Sequence, residues 1–176
     1  VTVNNCIIRG NKATNECSAI YAEKSTFKNS QIVGNTFEGD MRYTMCLFNC
    51  VVDGCAVKNN TSYSLSAIYA IRGSSITNCE IEGNSSTSNS RGSYFEDTKV
   101  INCKFVNTSG NGSAVELSGP TVMRGCLFKG NKDVTLNIIY MMGNTASLED
   151  CQIVDNSSTS SLLCYYGKIN RCLIKG

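Results

Sequence analysis

Glu96 and Glu116 are the residues of this chain best placed for acid–base chemistry. Each closes a short apolar run, Ser93-Tyr94-Phe95 and Ala114-Val115. If Ile20, Ile68, Phe95 and Ile139 point inward on neighbouring strands, both carboxylates face solvent on adjacent strands, about 5 Å apart. Carboxyl groups at that separation suit glycoside hydrolysis with retention, one as acid and the other as nucleophile. With Asp97 beside them they would also suit Ca²⁺. A one-residue change of register removes the pair, and the other acidic residues are spread along the chain as on a solvated surface. Tyr21, Tyr69 and Tyr140 follow an Ile or Ile-Ile in the same way, on the same expected face as Phe48 and Cys164. A row of tyrosines offers a flat amphipathic surface at low entropic cost, fit for glycan or protein contact. Strand propensity alone would also put tyrosines there.

Composition removes several other chemistries. The chain has no His and no Trp, so Ser/His/Asp and Cys/His catalysis are excluded. Only 17% of the 176 residues are charged and the net charge is +2, with no cluster of Lys or Arg for a nucleic-acid backbone. There are eleven Cys but no Cys-x-x-Cys, and no zinc-type ligand set, so neither metal nor cofactor is expected. No apolar run approaches the ~20 residues of a membrane-spanning helix.

The elements that must position these residues come from a repeat. A unit close to Asn-Cys-x-Ile-x-Gly-Asn recurs eight times, 21 to 25 residues apart. Its centre is held by Cys6, Ser30, Cys55, Cys79, Cys103, Cys126, Cys151 and Cys172. Apolar residues stand three before it, from Val3 and Phe27 to Leu148 and Ile169, and two after it, from Ile8 and Ile32 to Ile153 and Ile174. The spacing of two is a strand period. The spacing of three breaks that period and demands a bend. The residue before the centre is Asn5, Asn29, Gly54, Asn78, Asn102, Gly125, Asp150 or Arg171, mostly types that tolerate the left-handed conformation. Five residues after the centre stand Asn11, Asn35, Asn60, Asn84, Thr108, Asn131 and Asn156, which reads as an amide ladder bonding from coil to coil. A third strand lies midway, as in Ala19-Ile20-Tyr21 and Ala67-Ile68-Tyr69, after a polar loop such as 85–91 or 157–161. Each repeat is strand, bend, strand, polar loop, strand. The chain is therefore all-β, one domain over 1–176, a three-sheet solenoid of about seven coils of ~24 residues.

The NC-x-I-x-GN unit, paired with small-residue-Ile-Tyr strands such as Ser18–Tyr21 and Ser66–Tyr69, resembles the right-handed single-stranded parallel β-helix of bacterial surface and secreted proteins. It is similar to the repeats of polymorphic outer-membrane proteins and adhesin passengers, and more distantly to the pectate-lyase-like superfold. The resemblance implies a secreted or cell-surface module. That module is structural or adhesive and non-enzymatic, with polysaccharide or a host or cell-surface protein as partner. Its alternative is a carbohydrate-active enzyme, a polysaccharide lyase or glycoside hydrolase. It also implies that the Ile-Tyr strand forms the first sheet, the strand before the bend the second, and Cys-x-Ile the third.

Regular placement reads the seven ladder cysteines (Cys6, Cys55, Cys79, Cys103, Cys126, Cys151, Cys172) as reduced interior fillers, since Ser30 replaces one of them. The redox state of Cys17, Cys46, Cys50 and Cys164 is left open. Val1 begins inside a strand and Gly176 stops before the next ladder Asn. The chain reads as a segment of a longer solenoid, or as coils that stack end to end between chains.

Overall fold

The computed structural model describes residues 1–14, 17–39, 43–63, 65–86, 92–110, 112–132 and 134–176, without the side chains of 65, 66, 134 and 135. The part of the expected polar loop at 87–91 and the Ser66 side chain lie outside the described residues.

Short strands pair in parallel with their counterparts one coil away, forming a solenoid. The first sheet has seven strands: Ile20–Glu23, Tyr43–Phe48, Leu65–Ile71, Ser93–Glu96, Val115–Ser118, Val134–Met141 and Ser158–Cys164. The second has eight, from Thr2–Asn4 to Lys168–Asn170, and the third eight, from Ile7–Arg9 to Leu173–Lys175. A fourth sheet departs from the three-sheet expectation. It consists of five two-residue strands, Lys12–Ala13, Thr36–Phe37, Thr61–Ser62, Ser85–Ser86 and Ser109–Gly110. Residues 157–161, read as a loop, mostly join the strand Ser158–Cys164. Pairing to the previous coil satisfies the backbone there whatever the side chains are, so a polar sequence does not exclude a strand.

All eight residues expected at the bend are left-handed, with φ between 49° and 64°. Two more corners of this kind were not anticipated. Gly10, Gly34, Asn59, Gly83, Asn107, Gly130 and Asp155 turn the third sheet into the amide ladder, while Lys24, Asn49, Asp97 and Gly119 turn the first sheet into the second. A Cβ at Gly83 would also meet Asn59 Oδ1 of the coil before, so that amide would have to shift.

The cysteine ladder does more than fill space. Cys55, Cys79, Cys103, Cys126 and Cys151 are buried, and the ladder thiols lie within hydrogen-bond range of the carbonyl two residues earlier, as Cys79 with Thr77 at 3.1 Å, Cys103 with Ile101 at 3.4 Å and Cys151 with Glu149 at 3.2 Å. Ser30 Oγ donates in the same way to the Lys28 carbonyl at 2.7 Å. The position wants a small side chain that carries one donor, and Cys and Ser both qualify. The corner between the first and second sheets repeats the device with Ser25, Cys50, Ser74, Thr98 and Thr121. Cys50 therefore belongs to a second ladder.

Cys17 and Cys46 form a disulfide, and the other nine cysteines are free. Burial pushes the Cys55 thiol up to about 11. The hydrogen bond to Cys126, then burial, hold Cys103 at about 12. In the native protein only the exposed Cys6 and Cys164 should alkylate quickly near neutral pH. Unfolded without reductant, the chain should show nine reactive thiols, and near-complete oxidation would contradict the ladder's role. Cys103→Ala should cost about 1 kcal/mol, read from the shift in urea midpoint, as loss of a small buried group.

The asparagine ladder is internal. Asn35, Asn60, Asn84 and Asn131 are fully buried. Asn11 donates its backbone N–H and its amide to Asn35 Oδ1 at 3.0 and 2.8 Å, and the pattern repeats from Asn35 to Asn60, Asn60 to Asn84 and Asn131 to Asn156. Thr108 interrupts the amide series but donates its N–H to Asn131 Oδ1. Beside these amides runs the apolar core, which includes Ile32, Val57, Ile81, Phe105, Phe128 and Ile153.

Candidate functional site: the outer face of the first sheet

Register decides what this face presents. One outward row runs Tyr21, Cys46, Tyr69, Tyr94, Glu116, Tyr140 and Leu163. A second row, two residues further along each strand, holds Glu23, Phe48 and Ile71, with Glu96 level with Ser118. Tyr21, Tyr69 and Tyr140 thus share one row.

Glu96 and Glu116 do not make the expected pair. Glu116 lies opposite Tyr94, and Glu96 stands in the other row. Glu116 is also only 1% exposed, so it is not a solvent-facing acid. The cause lies in the core. Ile68 and Ala70 fill the two inward positions of one coil, large then small. In the next, Phe95 stands level with Ala70, so the small Ser93 comes first and the large Phe95 second. The core volume is kept, but an alignment on the largest apolar residue slips by two. Among the described residues no three His, Cys, Asp or Glu side chains converge on a metal ion, so the Ca²⁺ reading of Glu96, Glu116 and Asp97 has no geometry behind it. Cys164 is displaced as well. It is level with Met141, in an inward row, and is exposed in the last coil.

What the register does bring together is aromatic. Tyr21 and Phe48 have ring centroids 5.4 Å apart, Phe48 and Tyr69 6.1 Å, and Tyr69 and Tyr94 5.3 Å, the last pair stacked at 14°. Tyr43 packs on Tyr69 at 4.3 Å, and the Arg72 guanidinium lies over Phe48 at 5.4 Å. Further along, Tyr140 meets Tyr165 edge-on at 5.9 Å. Pairs of this kind contribute roughly 0.5–1.5 kcal/mol beyond area burial. They therefore hold one another as a fixed strip across four coils. Tyr94, Tyr43, Tyr165 and Arg72 escaped the sequence reading. Tyr94 was visible in principle, since it follows a small residue as Tyr21 and Tyr69 follow Ile.

The Tyr69 and Tyr94 hydroxyls remain neutral phenols. Tyr94 Oη donates to Glu96 at 2.9 Å. Burial first, with Glu96 and Glu116 adding, pushes Tyr94 up to about 12 despite an opposing hydrogen bond with Ser118. Tyr69 is raised by burial and then by Glu96, against Arg72. In the tyrosine row, Cys46 takes one tyrosine's place, and its disulfide anchors Cys17 beside the strip. The outer face of the third sheet differs in kind. Lys58 there is held between Glu80 at 2.5 Å and Glu82 at 2.9 Å, so its charges pair with each other.

No helix of the structure is long and apolar enough to cross a membrane among the described residues. A family model described as a right-handed β-helix region matches residues 46–176. No curated protein matches the chain.

Proposed function

The chain belongs to the right-handed β-helix family, and we propose that it is a non-catalytic module of a secreted or cell-surface protein, of bacterial adhesin type, that binds glycan along the outer face of its first sheet. The fold itself hosts many activities, so the reading rests on the site. The observation that carries it is the contact series Tyr21, Phe48, Tyr69 and Tyr94, aromatic rings fixed on a sheet face and reachable from solvent. Rings stacked along the axis turn their edges and hydroxyls outward, and Tyr21 at the end of the series is largely exposed, so the strip offers a glycan apolar contact together with hydrogen-bonding groups. The Cys17–Cys46 disulfide supports an oxidising compartment.

The test is a glycan array with the wild-type chain and a Tyr69→Ala/Tyr94→Ala variant, scored for binding and for new reducing ends. The variant keeps every inward ladder, so it should fold. Its loss should be about 2 kcal/mol, roughly 30-fold in Kd, from two ring contacts. Unchanged binding by the variant would remove the strip from the account. New reducing ends would favour the polysaccharide lyase or glycoside hydrolase alternative. Binding to a protein partner alone, lost with the same tyrosines, would keep the surface and change its ligand.

A further inference from the structure

Asn59, Asn60, Asn84, Asn107, Asn111 and Asn156 each open an Asn-x-Ser/Thr triplet, the acceptor pattern of N-glycosyl transfer. Asn111 lies outside the described residues. An acceptor amide must reach solvent and must have an N–H to give up. The ladder members do not meet this. Asn60 and Asn84 are fully buried. Asn60 spends both amide hydrogens, on the Ile32 carbonyl and on Asn84 Oδ1, and Asn156 spends both on the Phe128 and Val154 carbonyls. Asn59 and Asn107 differ. Both are exposed, and both hold the left-handed corner between the third sheet and the amide ladder, at φ 54°. A Cβ at Gly83 would meet Asn59 Oδ1, and one at Gly130 would meet Asn107 Oδ1, so each amide oxygen lies over a glycine of the next coil. Asn107 donates one N–H to Glu82, which leaves the other. The rest of each triplet fits the same layout. The middle residue, Asn60 or Thr108, is buried in the ladder, while the hydroxyl residue, Thr61 or Ser109, is only half-buried on the fourth sheet.

We propose that Asn59 and Asn107 are acceptors for an N-linked sugar, supplied by a nucleotide-activated hexose. In the transfer the amide nitrogen attacks the anomeric carbon. The C–N bond forms, the C–O bond to the diphosphate breaks, the nucleoside diphosphate leaves, and the amide proton passes to the transferring enzyme. One N–H remains on the nitrogen, so Asn107 keeps its bond to Glu82. Two coils separate the acceptors, which places them about 10 Å apart along the axis. Gly83, with no side chain, holds the same corner between them. The two sugars would therefore stand in a row along one corner, bulky and solubilising, without displacing an inward side chain. In chain order the fourth-sheet strands lie between this corner and the first sheet, so the proposal does not rest on the aromatic strip.

The test incubates the folded chain with UDP-glucose and a soluble N-glucosyltransferase that recognises Asn-x-Ser/Thr, followed by peptide mapping in a mass spectrometer. Glucose should appear on Asn59 and Asn107 and on none of Asn60, Asn84 and Asn156. Asn59→Gly and Asn107→Gly should each remove one glucose and leave the other. Glycine already holds this corner at Gly10, Gly34, Gly83 and Gly130, so both variants should fold, with urea midpoints close to wild type. Short peptides spanning 57–63 and 105–110 report whether the enzyme accepts the bare triplets. Glucose on any ladder asparagine of the folded chain, glucose on Asn111 alone, or modification of the peptides but not of the folded chain would overturn the proposal.

Discussion

Asn60→Leu should destabilise the solenoid by about 4 kcal/mol, because two or more buried partners lose their hydrogen bonds at roughly 1–3 kcal/mol each. Asn60 Oδ1 accepts both the backbone N–H and the amide of Asn35, at 2.9 and 3.0 Å. Its own amide donates to the Ile32 carbonyl at 3.0 Å and to Asn84 Oδ1 at 2.9 Å. Leucine matches the volume but neither accepts nor donates, and at a fully buried site no water replaces the bonds. The effect should appear as a lowered urea midpoint and as faster amide exchange in the coils on either side, since each coil contacts only its neighbours. A loss below 1 kcal/mol would mean that the amide series is incidental to stability.

Phe105→Ala should cost comparably, about 3–5 kcal/mol, as expected for a large buried aromatic. Phe105 is 1% exposed, stacks on Phe128 at 5.0 Å and 7°, and meets Phe95 edge-on at 6.0 Å. Every other copy of the repeat carries Ile or Val here, so the two phenylalanines bring extra side-chain volume to their coils. Phe128→Ala should cost a similar amount, and the double variant less than the sum, because the rings share one contact. Strict additivity in urea unfolding would show that the stack contributes nothing of its own.

The two ladders differ in how they are written into the chain. The bend before each ladder cysteine was legible because only Asn, Gly and Asp sit easily there, and the period exposed even Arg171 as an occupant. The amide ladder was legible for the same reason: one residue type at one phase. The Ser25–Cys50–Ser74–Thr98–Thr121 series was not, because Ser and Thr are abundant everywhere and the first-to-second corner varies by a residue, as Arg72 and Gly73 show. Without it, Cys50 looked unplaced. The Cys17–Cys46 disulfide joins residues outside the main ladder and left no periodic trace.

The site was half legible. Period alone puts Tyr21, Tyr69 and Tyr140 on one row, but the exchange of large and small residues between Ile68/Ala70 and Ser93/Phe95 hid Tyr94 and misplaced Glu96. Only the packed interior fixes that register. The correction moves the emphasis of this face from a carboxylate pair to an aromatic strip with carboxylates at one end.

Ligand should lie on this one face of the solenoid. Amide chemical-shift mapping with an oligosaccharide that binds on the glycan array tests it most directly. Shifts should be confined to Ile20–Glu23, Tyr43–Phe48, Leu65–Ile71 and Ser93–Glu96, strongest around Tyr69 and Tyr94. Shifts centred instead on the second or third sheet, or a bound oligosaccharide that leaves the strands around Tyr69 and Tyr94 unmoved, would contradict binding on this face.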